Sequence, residues 1–150
     1  MSIFPILLTI GVLMISSAQA VTYLTSEPYN GKKYLLSNGL EVFDLAKMNA
    51  RCKGSGGYLV DIDNSSEQNW LEYFVSYEAG GHVVYTGITD EGSEGHYYHY
   101  NTKKPAKYLG WKWRQPDNWK GKEHCVNIAY NGLNDIDCGR KAKYICEVPA

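Results

Sequence analysis

Four cysteines in a chain of 150 residues, Cys52, Cys125, Cys138 and Cys146, constrain this sequence more than any other feature. Their chemistry depends on the compartment, and the amino-terminal segment speaks to that. Met1 to Ala20 is almost wholly apolar through Ile15 and closes on Ala18-Gln19-Ala20, a small-x-small pattern of the kind signal peptidase cleaves. No Lys or Arg precedes the apolar run, but Pro5 and Gly11 interrupt it, and no other stretch approaches the ~20 apolar residues of a membrane span. The reading is therefore a signal peptide over 1–20 and a secreted, extracellular domain over 21–150, with no membrane span. In an oxidising compartment four cysteines form two disulfides, and zinc is disfavoured because none are spaced C-x-x-C. Three pairings are open, and spacing alone does not choose among them. The nested pairing, Cys52 with Cys146 and Cys125 with Cys138, closes one long loop around one short polar one and is the one expected.

Charge narrows the partners. Fifteen Lys and Arg against sixteen Asp and Glu leave a formal net charge of −1, which argues against nucleic acid. The basic group Lys103, Lys104 and Lys107 reads as a solvated loop. The length suffices for one compact core but not for two ordinary domains.

Periodicity orders the elements. Tyr34 to Leu36 is a short apolar run ending at Asn38-Gly39, hence a strand and a turn. Leu45, Met48 and Cys52 recur at spacings of three and four, predicting a helix from Glu41 to Lys53 that stops at Gly54 to Gly57. A second helix starts at Asn64, with Glu67 placed to complete a capping box and Trp70, Leu71, Phe74 and Tyr77 on its core face. Asn64-Ser65-Ser66 is also an acceptor for N-glycosylation at Asn64. Beyond it lie four β-prone pieces, at Val83 to Ile88, His96 to Tyr100, Cys125 to Tyr130 and Lys143 to Glu147. The fold class is α+β, two helices on small antiparallel sheets, with a long irregular stretch from Asn101 to Lys122. A loop that long in a compact domain is functional or tied down.

Hard oxygen ligands gather in and just after that loop: Gln115, Asp117, Glu123, Asn134 and Asp135. Calcium takes six to eight such oxygens and tolerates irregular geometry. A sugar with two adjacent hydroxyls could share the ion, its O–H groups donating to carboxylates and its oxygens accepting from amides. Pro116 lies between two ligands, where a cis peptide bond comes at modest cost. Trp119 offers a flat apolar face in a polar setting, suited to the nonpolar patch of a galactose ring.

The chain resembles C-type lectin domains. The residues that carry the resemblance are Cys52, Gly56-Gly57-Tyr58-Leu59-Val60, Glu67, Tyr85-Thr86-Gly87-Ile88-Thr89-Asp90, Trp111, Gln115-Pro116-Asp117, Glu123-His124-Cys125-Val126, Asn134-Asp135, Cys138 and Tyr144-Ile145-Cys146-Glu147. Four cysteines fit the short form of that domain. The resemblance implies a calcium ion held by Gln115, Asp117, Glu123, Asn134 and Asp135, and a sugar contacting Gln115, Asp117, Trp119, Glu123 and Asn134. Gln-Pro-Asp implies galactose or N-acetylgalactosamine rather than mannose, and Trp119 falls where galactose-type members carry a stacking tryptophan. The chain departs from the pattern at Leu133, where the family has Trp before Asn-Asp. The segment from Asp117 to Asn134 is one residue short, and the loop from Trp119 to Glu123 is also shortened. Asp90 and Glu94 match ligands of a second calcium, but Asn118 and His124 replace acidic ones. That second site is expected to be absent or weak, with Asp90 and Glu94 left as solvated loop residues.

These readings point to a secreted, calcium-dependent lectin for galactose-type glycans, with a place in innate immune recognition. Weak monovalent binding would call for a homo-oligomer. The alternative is the same fold contacting a protein, mineral or other surface without sugar specificity. Catalysis is not expected: there is no H-E-x-x-H or G-x-S-x-G, and His96 and His99, three apart in a strand-like stretch, would point to opposite faces.

Overall fold

The computed structural model describes residues 21–40 and 44–150. The expected signal peptide, 1–20, and residues 41–43, where the periodicity begins the first helix, lie outside the described residues. In chain order the elements are β1 (Tyr23–Thr25), β2 (Lys32–Ser37), α1 (Leu45–Gly54), β3 (Tyr58–Leu59), α2 (Ser65–Glu78), β4 (Val84–Thr89), β5 (Tyr98–His99), a 3₁₀ turn at Trp119–Gly121, β6 (Glu123–Ala129), β7 (Gly132–Asp137) and β8 (Lys143–Pro149).

The strands pair in the order β1-β2-β8-β4-β6-β7, with β3 added to β8 and β5 to β4. β4 and β8 run parallel, with Tyr85 opposite Tyr144. The architecture is α+β, but the sheet is mixed rather than purely antiparallel. β8 lies between β2 and β4, and its antiparallel register with β2 sets Lys32 against Pro149, joining the two ends of the domain.

Both faces of the sheet are covered, which explains the unbroken apolar runs. Side chains alternate along a strand. Neighbours such as Leu35 and Leu36, Leu59 and Val60, Cys125 and Val126, and Tyr144 and Ile145 accordingly enter two different cores. One core gathers Leu71 and Val75 of α2 with Tyr34, Ile88, Val126 and Leu133. The other gathers Leu45, Met48 and Cys52 of α1 with Tyr85, Ile136 and Tyr144.

α1 begins after Asp44, whose side chain accepts the Lys47 N–H at 2.8 Å. Its buried face is Leu45, Met48, Asn49 and Cys52. α2 is capped by Asn64, which accepts the Glu67 N–H at 2.9 Å. The capping box is only half formed: Glu67 Oε2 accepts from the Asp63 N–H at 2.9 Å, not from that of Asn64. The other carboxylate oxygen of Glu67 accepts from Tyr34 Oη at 2.7 Å and from Lys32 Nζ at 3.0 Å. Lys32 also reaches Glu147 at 2.8 Å, so one buried charge group ties β2, α2 and β8 together. The core face of α2 is Gln68, Leu71 and Val75, rotated from the expected one. Trp70 and Phe74 are half-buried and stack at its edge, and Tyr77 is 70% exposed.

Both disulfides follow the nested pairing. Cys52–Cys146 joins α1 to β8 and spans 94 residues, worth about 4–5 kcal/mol in the chain-entropy account. Cys125–Cys138 spans 13 residues. It does not bracket a loop, because the chain between these cysteines forms the β6–β7 hairpin, with Asn127 opposite Asn134.

Candidate functional site

The long loop is as irregular as its sequence implies, but it is pinned. Leu133 of β7 donates its N–H to Gly110 O at 2.9 Å and accepts from Lys112 N at 2.8 Å, making a parallel bridge with Trp111. Gly132 has φ of +133°, and a Cβ there would collide with the Lys112 backbone, so the close approach requires glycine. Leu133 is fully buried and fills the anchor position where a Trp is absent. From this anchor the chain turns, Gln115 N donating to Lys112 O at 2.9 Å, and enters Gln115-Pro116, whose peptide bond is cis.

The side chain of Asp135 organises the next two residues. It is fully buried and accepts the N–H groups of Asp117 at 3.1 Å and Asn118 at 2.7 Å, one on each carboxylate oxygen. Asn118 Oδ1 accepts the Glu123 N–H at 3.2 Å, and Glu123 Oε2 accepts the Trp119 N–H at 3.1 Å. The end of the loop is thus folded onto the acidic side chains of β6 and β7. Asp117, Glu123 and Asp135 each bring a carboxylate oxygen within 4.8 Å of the others. Burial, with the neighbouring Asp117 and Asp135 carboxylates, raises the pKa of Glu123, against the opposing Trp119 N–H.

Gln115 Oε1 is buried with no hydrogen-bond partner among the described residues. A buried amide oxygen left unpaired is costly unless something electropositive meets it. Three crowded carboxylates and an orphaned carbonyl oxygen are the donor set that a hard divalent cation prefers, so these residues fit calcium. Asn134 stands beside Asp135 on β7. Its amide nitrogen donates to Asn127 Oδ1 at 3.0 Å and Asp135 O at 2.7 Å, which leaves Oδ1 as the atom it could offer a cation. Those donors are therefore committed within the protein rather than offered to a sugar. Trp119 is 61% exposed at the rim, with Lys120 Nζ 4.2 Å from its ring centre.

The second expected cluster departs from expectation. Asp90 is fully buried, not solvated, accepting from Gly95 N at 2.8 Å. The His124 Nδ1 lies 3.1 Å from Asp90 and 3.3 Å from Glu94, so an imidazole stands between the two carboxylates. Only Glu94 is solvent-exposed in the expected way. The other histidines do not meet. His99 is buried with its Nδ1 2.9 Å from Asp61, whereas exposed His96 precedes β5 and contacts the Glu94 carbonyl.

Two features escaped the sequence reading. Asn127, which holds Asn134, becomes visible once the chain at Tyr130 and Asn131 is taken as the two-residue turn of a hairpin. Trp113, 78% exposed and covered by the Arg114 guanidinium at 4.1 Å, carries no signal beyond its proximity to Gln115.

The comparisons with known proteins agree on a family. A sequence model of the family described as Lectin C-type domain matches residues 44–148. Salivary C-type lectin 2 of Aedes albopictus is 29% identical over 107 residues, 64% of this chain and 71% of that protein. The carbohydrate-recognition domain of the mouse scavenger receptor C-type lectin is 27% identical, with a TM-score of 0.71 over 85% of this chain and 94% of that one. Human lithostathine, 16% identical, superposes with a TM-score of 0.72 over 84% of this chain and 97% of its own, which shows the fold alone. Among the described residues no helix is long and apolar enough to cross a membrane.

Proposed function

Because the chain belongs to the C-type lectin family, we propose that it is a secreted lectin that binds galactose- or N-acetylgalactosamine-type glycans through calcium. The observation that carries this reading is the convergence of Asp117, Glu123 and Asp135 within 4.8 Å of one another, with the unpartnered Gln115 two residues before Asp117 across the cis bond and an exposed Trp119 whose N–H donates to Glu123. Bound calcium would supply a Lewis acid for the lone pairs of two adjacent sugar hydroxyls. The chain's own groups do the rest. Asp117 and Glu123 accept hydrogen bonds from sugar hydroxyls, the Gln115 amide donates to a sugar oxygen, and Asn134 Oδ1 completes the ligand set. Trp119 covers the nonpolar face of the ring, where an axial hydroxyl on the opposite face does not obstruct stacking.

Secretion rests on the apolar leader over 1–20 and on two disulfides, which persist in oxidising compartments. Asn64 caps α2 through Oδ1, and N-glycosylation uses Nδ2, so cap and glycan are compatible. A shallow rim site binds one sugar weakly, and useful avidity comes from several copies presented together. Innate recognition of surface glycans is a role suited to such presentation.

The test is retention of the folded mature domain on immobilised galactose and on immobilised mannose, with calcium and then with chelator. Calcium-dependent retention on galactose alone supports the reading. Retention on mannose overturns the sugar assignment, and retention on neither returns the chain to a module that contacts other surfaces.

A further inference from the structure

A chain of net charge −1 still gathers positive charge at one point of this site. A cleft of about 180 Å³ opens behind Trp119, walled by Trp119, Lys120, Lys122, Glu123, Asp137 and Arg140. Lys120 and Lys122 arrive from the 3₁₀ turn and its end, and Arg140 from beyond β7, so no local run of basic residues announces the cluster. Among the described residues none of the three cations forms an ion pair. The two carboxylates of the cleft are engaged elsewhere. Glu123 belongs to the acidic cluster, and Asp137 Oδ1 accepts the Gly139 N–H at 2.8 Å.

We propose that this cleft is a subsite for an anionic substituent, a sulfate ester or a carboxylate, carried by the bound galactose-type sugar. The subsite rests on the lectin function proposed for the chain, because it needs a ring on Trp119. Trp119 and Glu123 are shared by the sugar site and the cleft, so a single ring lying on the tryptophan reaches both. The cleft is smaller than the roughly 300–1,000 Å³ of pockets that enclose drug-sized ligands, and it readily admits a sulfate or carboxylate group. Charge agrees. With a divalent cation held by three carboxylates, Lys122 and Arg140, joined by Lys120 lying over the Trp119 ring, outweigh Asp137 at the cleft. A guanidinium also matches both anions in a two-pronged contact.

The experiment compares free galactose, galactose 6-sulfate and galacturonic acid as competitors for the calcium-loaded, disulfide-bonded domain on immobilised galactose. The 6-position leaves the 3,4-hydroxyl pair intact. An anionic sugar is expected to compete at about threefold to tenfold lower concentration than galactose, since each exposed charge contact is worth a fraction of the 1.4 kcal/mol that makes a tenfold change. The advantage should shrink at high salt. It should vanish in the Lys122→Gln/Arg140→Gln variant, whose retention on plain galactose stays at the wild-type level. The better competitor of the two identifies the sulfate or the carboxylate. The inference is overturned if the domain is retained on galactose yet anionic sugars compete no better. It is also overturned if their advantage survives in the double variant or in chelator. Loss of all retention by the folded wild-type domain overturns the lectin reading and this subsite with it.

Discussion

At the scale of single residues, the proposed function assigns the carboxylates of the candidate site to a metal and Trp119 to the sugar, and the two roles can be tested apart. Asp117 belongs to the carboxylate cluster and has no part in either core. Asp117→Ala is therefore expected to abolish both calcium binding and galactose retention while the domain stays folded. Trp119 offers its ring to solvent, and only its backbone N–H engages the acidic loop. Trp119→Ala should lower galactose retention by roughly tenfold, the scale of one aromatic contact, and leave the calcium-induced rise in Tm in place. Loss of that rise would show that Trp119 is structural. A second residue-scale effect lies away from the site. His99 and Asp61 approach to 2.9 Å in the interior, and that contact holds the imidazole above its ordinary pKa, burial working against it. The group is thus protonated more readily in the fold than in the unfolded chain. Its stabilising contribution is full below the unfolded value of about 6.5 and fades as pH rises through the raised folded value. Melting temperatures of wild type and Asp61→Asn, measured from pH 5 to pH 9 in chelator, should differ most at the acid end and converge toward the alkaline end. A constant gap would remove the pH-linked account.

At the scale of elements, the β6–β7 hairpin carries the site and was the least legible part of the sequence. Leu45, Met48 and Cys52 announce α1 through their spacing, and Asn64 announces the start of α2, because helix periodicity and caps are local signals. β7 is not local in this sense. Gly132 to Asp137 alternates poorly, and its apolar residues, Leu133 and Ile136, sit three apart and enter different cores, while a bulge at His124 shifts the register with β6. The same non-locality hid the true core face of α2. Tyr77 fits the 3.6-residue pattern, but Val75 takes the buried position and leaves Tyr77 outside. That Asp117, Glu123 and Asp135 come together was legible because the residue types and their order are distinctive. The clamp that Asp135 places on the Asp117 and Asn118 amides was not, since backbone partners leave no trace in side-chain identity. A substitution at Leu133 tests the hairpin. It is fully buried and bonded through its backbone to Gly110 and Lys112, so Leu133→Ala should cost about 2–5 kcal/mol in urea unfolding. It should also weaken calcium binding, because the cavity it leaves lies under the anchor of the loop that carries the candidate site. Asn64→Ala, in contrast, should cost about 1 kcal/mol through the lost cap alone, with calcium affinity unchanged.

At the scale of the whole molecule, the scaffold is held by two cores and the long disulfide, whereas the loop from Asn101 to Lys122 is shaped at its end by acidic side chains turned toward one another. Cys52–Cys146 and the β2–β8 pairing close the domain at its two ends, far in sequence from Gln115. Crowding Asp117, Glu123 and Asp135 within 4.8 Å opposes this arrangement through mutual repulsion, and burying Gln115 Oε1 without a partner adds to the cost. A divalent cation bound by the folded state would relieve the repulsion and, if it reaches Gln115, meet that oxygen as well, and the unfolded chain has no such cluster to offer. At a hundred times its dissociation constant calcium should add about 2.7 kcal/mol to stability. For a domain of this size that is a rise in Tm of about 5–10 °C, reversed by chelator. The same addition to Asp117→Ala should move Tm little, and to Trp119→Ala as much as to wild type. Equal melting of wild type with calcium and with chelator would mean that the loop is held by its hydrogen bonds alone, and the chain would then be a C-type lectin fold that meets its partner without metal.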